Sequence, residues 1–396
     1  MNVSHAVAED NGTWTDIASL RYGPRHNRVP NTVYFRSTRG PIGGSSDHLI
    51  PLTMLTAMVR NEPVKIEGSV SHRLLSNLPQ IQTLLAAFTR GHNQELAAVG
   101  FEADVVETQN WPEGRGVACF FSGGVDSTYS AIQHRDELDA LVFIRGFDLD
   151  VRDEAWREMA AERARAAAAE IGLPLIEIET DMNRFIGRAT SWHIGYGPAL
   201  ATVALLLQPM FRRVYIAGGR AYARLIDAGA HPMLDPLWGT EGLETIHDGA
   251  ELERWQKLEV LADNPIAQKH LRLCFERHRA PYNCGECPKC LTTMVTLAAL
   301  GALGHFQTFA GPLDFAAVAN LDSGQITIRS RIEDTIALLD RPGARPMPEL
   351  RQALVRSLER WVASLADPNP REPNYSVGTW RQHLWPERTR QISADV

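Results

Sequence analysis

Two clusters in this chain have residue types and spacings that can do chemistry. The first is Ser122-Gly123-Gly124-Val125-Asp126-Ser127, directly after the apolar run Val117–Phe121. That order reads as strand, turn, helix start. The run is apolar without alternation, as in a strand buried on both faces of a parallel sheet. Glycines at 123 and 124 can adopt φ > 0 and bring backbone N–H groups close to a ligand. The following helix start adds unsatisfied N–H groups at its positive end, and Ser122 and Ser127 add hydroxyls. The chemistry is anion binding. No G-x-x-x-x-G-K-[ST] stretch occurs, which disfavours a Walker-type enzyme that cleaves the γ phosphate.

The second cluster is Cys274, Cys284, Cys287 and Cys290, four of the five cysteines. Two C-x-x-C steps carrying Gly285 and Pro288 form the tight knuckle that turns thiolates toward one ion. Four protein ligands leave no open position for water, so a structural zinc site is the expectation and an iron–sulfur cluster the alternative. His278 lies inside the loop and reads as a solvated side chain. Cys119 lies in the first strand of the core, where a thiol is inert.

Ser-Gly-Gly-Val-Asp-Ser resembles the pyrophosphate-binding loop of the N-type ATP pyrophosphatase (PP-loop) superfamily, whose members cleave ATP between the α and β phosphates. The order of loop, lysine-bearing helix and four-cysteine cluster over residues 115–303 is similar to the 7-cyano-7-deazaguanine synthase branch. The chain differs from that branch at Val125, where a glutamine is common, and in long segments before and after the matching region. The resemblance implies an AMP-forming ligase or amidating enzyme. An oxygen of a carboxylate or amide attacks the α phosphate, pyrophosphate leaves, and a nitrogen nucleophile displaces AMP. It implies ATP, Mg²⁺ and Zn²⁺ as cofactors. Ser122, Gly123, Gly124, Val125, Asp126 and Ser127 would hold the nucleotide, Asp126 would position Mg²⁺, and Lys257 would offset phosphate charge, with Arg254 a weaker candidate. Alternatives are an ATP-dependent sulfurtransferase acting on tRNA or a small molecule, and a silent nucleotide-binding partner protein. Dimers are common in the superfamily, so the resemblance admits a homodimer, but the sequence specifies no interface and leaves the oligomeric state open.

The elements that position these residues follow a βαβ rhythm from Gly116 onward. Strands are predicted over 141–147, 175–179 and 214–217, and an alanine-rich helix over 154–171, capped by Asp153 and ended by Gly172. A helix over 196–207 is read as opened by Gly195 and Gly197-Pro198, and another covers 248–262 with Lys257 on it. Ligands of open α/β sheets sit beyond the carboxyl ends of the strands, so 122–127, 145–147 and 218–220 should converge. The expected fold is α/β, a doubly wound parallel sheet of the adenine nucleotide alpha hydrolase-like kind. The expected domains are a small α/β lead-in over 1–112, a core over 113–303 including the knuckle 274–290, a helical extension over 304–366 and an extended tail over 367–396. In the lead-in, 32–36, 64–70 and 101–107 read as strands and 74–88 as a helix; residues 1–30 receive no assignment. The glycine-rich 39–46 reads as a surface turn.

At 396 residues and 44% hydrophobic, the chain can bury a sizeable core. A formal charge of −7 gives no basic footprint, which argues against general nucleic-acid binding; the expected partner is a small-molecule or peptide substrate. No apolar run approaches membrane-spanning length: Leu200–Met210 is broken by Gln208 and Pro209. The N-terminus has no signal-peptide pattern, so a cytoplasmic location without membrane association is expected.

Overall fold

The computed structural model describes residues 1–22, 30–90, 94–106, 110–147, 153–274, 283–309 and 311–365. The expected extended tail over 367–396 lies outside the described residues, as does His278. The chain divides into two compact units, one formed by Met1–Ser122 with Ser130–Glu251, the other by Gly123–Tyr129 with the chain from Leu252 onward.

The first unit is α/β and carries ten strands: β1 (Asn2–Asp10), β2 (Thr13–Arg21), β3 (Thr32–Ser37), β4 (Val64–Ser71), β5 (Phe101–Val106), β6 (Gly116–Phe120), β7 (Ala140–Arg145), β8 (Leu175–Thr180), β9 (Phe211–Ala217) and β10 (Glu244–Asp248). They form one mostly parallel sheet in the order β10-β9-β6-β7-β8-β3-β2-β1-β4-β5. The five strands from β10 to β8 are all parallel, and their growth reverses at β6, with β7 and β8 added on one side and β9 and β10 on the other. The carboxyl ends of β9, β6 and β7 therefore lie side by side. The crevice beside such a reversal is where open α/β sheets bind ligands.

Residues 1–112 continue that same sheet. β3 pairs antiparallel with β8 through Phe35↔Thr180, Arg36↔Glu179 and Ser37↔Ile178, so the expected boundary at 112/113 does not divide the chain. The unassigned residues 1–30 contribute a hairpin, β1–β2, closed by Asn11 (φ 50°) and Gly12 (φ 79°). Two helices complete this half, α1 (Leu49–Arg60) and α2 (His72–Arg90). α1 is buried all round, whereas α2 buries the stripe Leu74, Leu78, Ile81 and Leu85.

α3 (Val125–Gln133) follows β6, and α4 (Glu154–Ile171) follows β7. The Asp153 side chain accepts the Trp156 N–H at the start of α4, and Gly172 ends the helix at φ 79°. Its buried face of Ala160, Ala161, Ala164, Ala167 and Ala168 lets it lie close to β7 and β8. α5 (Met182–Ala189) and α6 (Trp192–Leu206) lead into β9. α6 starts four residues before the expected 196 and carries Gly195, Gly197 and Pro198 inside it. The glycine at 197 serves close approach rather than helix opening: a Cβ there would sit 1.8 Å from the Gly229 carbonyl oxygen.

The second unit is helical, with α7 (Arg254–Ala262), α8 (Pro265–His270), α9 (Pro288–Ala299), α10 (Phe315–Ala319), α11 (Ile326–Leu339) and α12 (Pro348–Leu365). The helix expected over 248–262 begins only at Arg254. Asp248 is still in the β10 ladder opposite Ala217, Gly249 turns the chain at φ 78°, and a capping box between Glu253 and Gln256 starts α7. The expected C-terminal extension shares a core with α9, where Leu291 and Val295 pack with Val318, Ile332 and Leu354. Among the described residues no helix is long and apolar enough to cross a membrane.

Candidate functional site

Within the second unit the loop 123–127 is shaped from both ends. Gly123 takes φ 75°, a left-handed conformation that side chains resist, and its carbonyl accepts the Arg272 N–H at 2.8 Å. Gly124 provides the carbonyl that starts α3, accepting from Thr128 N–H at 2.9 Å. Val125 is buried beneath the turn, and the Ser127 hydroxyl, also buried, donates to the Gly124 carbonyl at 3.3 Å. Asp126 stands in the first turn of α3, where the helix dipole favours a carboxylate. Ser122, the last residue of the first unit, is exposed.

Asp126 meets two cations from one face of α7. Arg254 donates to its Oδ2, and Lys257 Nζ lies 3.3 Å from its Oδ1, the pair being three residues apart on the helix. The Lys257 side chain is only 1% exposed and its ammonium lies 5.7 Å from the centre of the Tyr129 ring, while Asp126 is 20% exposed. Burial pushes the Asp126 carboxyl up, but Arg254, Lys257 and Arg331 together outweigh it and hold the group down at about 2. The carboxylate is therefore ionised at neutral pH, with more than one positive charge facing it. Thr292 accepts from Arg331 at 3.3 Å, which fixes the third cation near α9.

Lys257 and Arg254 thus both reach the Asp126 carboxylate from α7. Arg331, Tyr129 and the Arg272 N–H were not anticipated, because nothing local in the sequence links Asp126 to Arg331, Lys257 to Tyr129 or Gly123 to Arg272, all distant in the chain. The strand ends at 145–147 and 218–220 that were expected to converge with the loop lie in the first unit. Arg145, at the end of β7, is committed to Glu158 (2.6 Å) and Glu177 (3.4 Å). Gly218, at the end of β9, is where a Cβ would come within 2.4 Å of His247 Nε2; the other ring nitrogen of His247 lies 2.7 Å from the buried Asp235 carboxylate.

The four cysteines gather into one cluster. Their sulfurs all lie within 4.8 Å of one another, with Cys274, Cys284 and Cys290 buried and Cys287 half-buried. Cys284 and Cys290 sulfurs are 3.8 Å apart. Tetrahedral zinc with Zn–S distances of about 2.3 Å requires sulfurs about 3.8 Å apart, so the donor set fits a closed thiolate site. The N–H groups of Glu286 and Cys287 point at Cys284 sulfur from 3.4 and 3.2 Å, and the neighbouring thiols with the Glu286 N–H draw its pKa down. Cys287 caps α9, followed by Pro288 in its first turn. Asn283, fully buried, binds the two halves of the knuckle. Its Oδ1 accepts from the Leu273 and Cys274 N–H groups at 2.7 and 3.2 Å, and its Nδ2 donates to the Leu271 carbonyl at 2.9 Å. Its position directly before Cys284 was the signal that could have found it.

Cys119 is fully buried in β6, and burial drives its thiol well above the ordinary range. No protein-family model matches the chain, and no curated protein matches its sequence.

Proposed function

We propose that the chain is an ATP-dependent, AMP-forming ligase of the PP-loop kind, which activates a carboxylate or amide oxygen of a small molecule or peptide by adenylation. The observation that carries this reading is the loop 123–127 facing Arg254 and Lys257. A glycine-turned backbone, a helix start and a surplus of buried positive charge are assembled on one short segment. That combination suits a polyphosphate. Two unit charges about 4 Å apart at an effective dielectric of about 20 interact by about 4 kcal/mol, enough to bias where negative charge accumulates on a leaving pyrophosphate.

The residues divide the work. Backbone N–H groups of the loop and the Ser122 and Ser127 hydroxyls bind and orient the phosphates. Lys257 and Arg254 neutralise charge as the α–β bond breaks. Asp126 would hold Mg²⁺ together with phosphate oxygens, since one carboxylate plus substrate phosphates is an ordinary Mg²⁺ donor set. Bound there, Mg²⁺ would supply charge neutralisation on the phosphates. Zinc in the four-cysteine cluster would have a structural role, holding the chain between Arg272 and α9. Sulfur transfer is disfavoured because Cys119 is buried and protonated and the other four cysteines are gathered in one cluster.

The test is incubation of the purified chain with Mg²⁺, ATP labelled at the α phosphate, and cellular extract as the source of acceptor. Label should appear in AMP and in an adenylated species, with pyrophosphate released in step. ADP as the labelled product would refute cleavage between the α and β phosphates.

A further inference from the structure

The glycine-rich segment 39–46 reads from sequence as a surface turn, yet Ile42, Ser45 and Ser46 are buried, as are Asp47 and His48 just after it. The segment encloses three side chains outside the candidate nucleotide site: His5 on β1, Asp16 on β2 and His48 directly before α1. In the β1–β2 ladder His5 pairs with Ala18 and Val7 with Asp16, which makes His5 and Asp16 diagonal neighbours on one face. His48 reaches the same point from the α1 side. His5 Nδ1 is 2.8 Å from Asp16 Oδ2, His48 Nε2 is 3.6 Å from it, and the ligand atoms of all three residues lie within 4.8 Å of one another.

The hydrogen bonding around these groups does not balance. Asp16 and His48 are both 0% exposed, yet Asp16 Oδ1 and His48 Nε2 have no hydrogen-bond partner. His48 Nδ1 lies 3.2 Å from the Ser45 carbonyl, so it carries the proton and donates it there. That leaves Nε2 as the ring nitrogen turned toward the carboxylate. At 3.6 Å the pair is too far apart for a hydrogen bond even if Nε2 were protonated. A buried imidazole nitrogen and a buried carboxylate oxygen left without hydrogen-bond partners are costly, and an ion bound between the two groups would satisfy both. A backbone carbonyl fixing the far nitrogen of an imidazole is also the usual way a metal-ligating histidine is oriented.

We propose that His5, Asp16 and His48 bind a divalent first-row transition-metal ion through two imidazole nitrogens and one carboxylate. With metal–ligand distances of about 2.0–2.1 Å, neighbouring donors should be about 2.9–3.4 Å apart for octahedral to tetrahedral angles. The observed 2.8 and 3.6 Å bracket that range. Imidazole with carboxylate suits zinc, iron(II) or nickel rather than calcium or magnesium. Gly43 completes the enclosure. It takes φ 80°, and a Cβ on it would meet Asp16 Oδ2 at 3.0 Å and Val7 at 2.8 Å, so only glycine covers the site without displacing the carboxylate. An ion here would pin the N-terminal hairpin to the start of α1.

The experiment is a titration of the full chain, freed of metal by chelation, with Co²⁺ read by visible absorption and with Zn²⁺ read by elemental analysis after desalting. Wild type should take up a Co²⁺ ion that gives weak d–d bands without thiolate charge transfer, separate from the intense thiolate spectrum of the cysteine cluster. His5→Ala and Asp16→Asn should each lose that equivalent and those bands while keeping the thiolate spectrum. His5 is partly exposed, so its alanine variant tests the site even if the Asp16 variant fails to fold. Wild type with thiolate bands alone, or a folded His5→Ala that keeps the full uptake and spectrum, would overturn the proposal in favour of a metal-free His–Asp–His cluster.

Discussion

Replacing Asp126 by Asn separates the electrostatic account of the loop from a merely steric one. The carboxyl is held at about 2 against an ordinary 3.8, and that depression corresponds to about 2 kcal/mol of stabilisation at neutral pH. Asparagine keeps the shape and removes the charge, leaving the nearly fully buried Lys257 and the adjacent Arg254 without their carboxylate. The expected loss is therefore about 2 kcal/mol, rising toward about 3–5 if the lysine finds no new counter-charge. The assay is urea unfolding of the full chain at pH 7, run as a cycle with Lys257→Met and the double variant. The double variant should be less destabilised than the two singles added together, with a coupling of about 1–3 kcal/mol. The pH dependence follows from the direction of the shift. A carboxyl whose folded pKa lies below its unfolded value stabilises fully above pH ~4, and that contribution disappears as pH falls toward ~2, so wild type and Asn variant should converge in that window. If Asp126→Asn unfolds within about 0.5 kcal/mol of wild type, or the cycle is additive, the ion cluster does not organise the loop.

Gly123→Ala should cost about 1–2 kcal/mol, because alanine must adopt the left-handed φ of 75°. It should also weaken ATP binding in equilibrium dialysis more than the exposed Ser122→Ala; equal binding by wild type and the Gly123 variant would remove the backbone cradle from the reading. Chelation, or Cys290→Ser, should release one zinc per chain from the thiolate cluster and lower the thermal midpoint. An unchanged midpoint in metal-free protein would refute a structural role for the cluster.

What could be read in the sequence and what could not have separate physical causes. The strands β6 to β9 were legible because each is short, largely apolar and bounded by turn residues. α4 was legible to the residue through Asp153 and Gly172. The cysteine cluster was legible from spacing alone. β1 was not, because most of it is exposed and its residues follow no apolar alternation, although Asn11-Gly12 is the two-residue turn that closes such a hairpin. α1 lacked a stripe because all its faces are buried. The glycines of α6 carry the same sequence signal as a helix start, because glycine marks a turn and a close backbone approach with the same letter. His5, Asp16 and His48 are individually unremarkable in sequence; the β1–β2 register brings the first two together, and the start of α1 brings His48 to them.

The pairing of β3 with β8 also sets an order of events during synthesis. β3 ends at Ser37 and its partner begins at Leu175, so ~140 residues must be added before the ladder can close; at about 5–20 residues per second that takes about 7–30 s. Until then β3 is an open edge, with β2 on one side and unpaired N–H and C=O groups on the other. Joining the two halves of the sheet also means closing a long loop, which is slow relative to forming either half. A chain stalled or truncated before Leu175 would present that edge to other nascent chains, and aggregation during expression is the failure this topology invites.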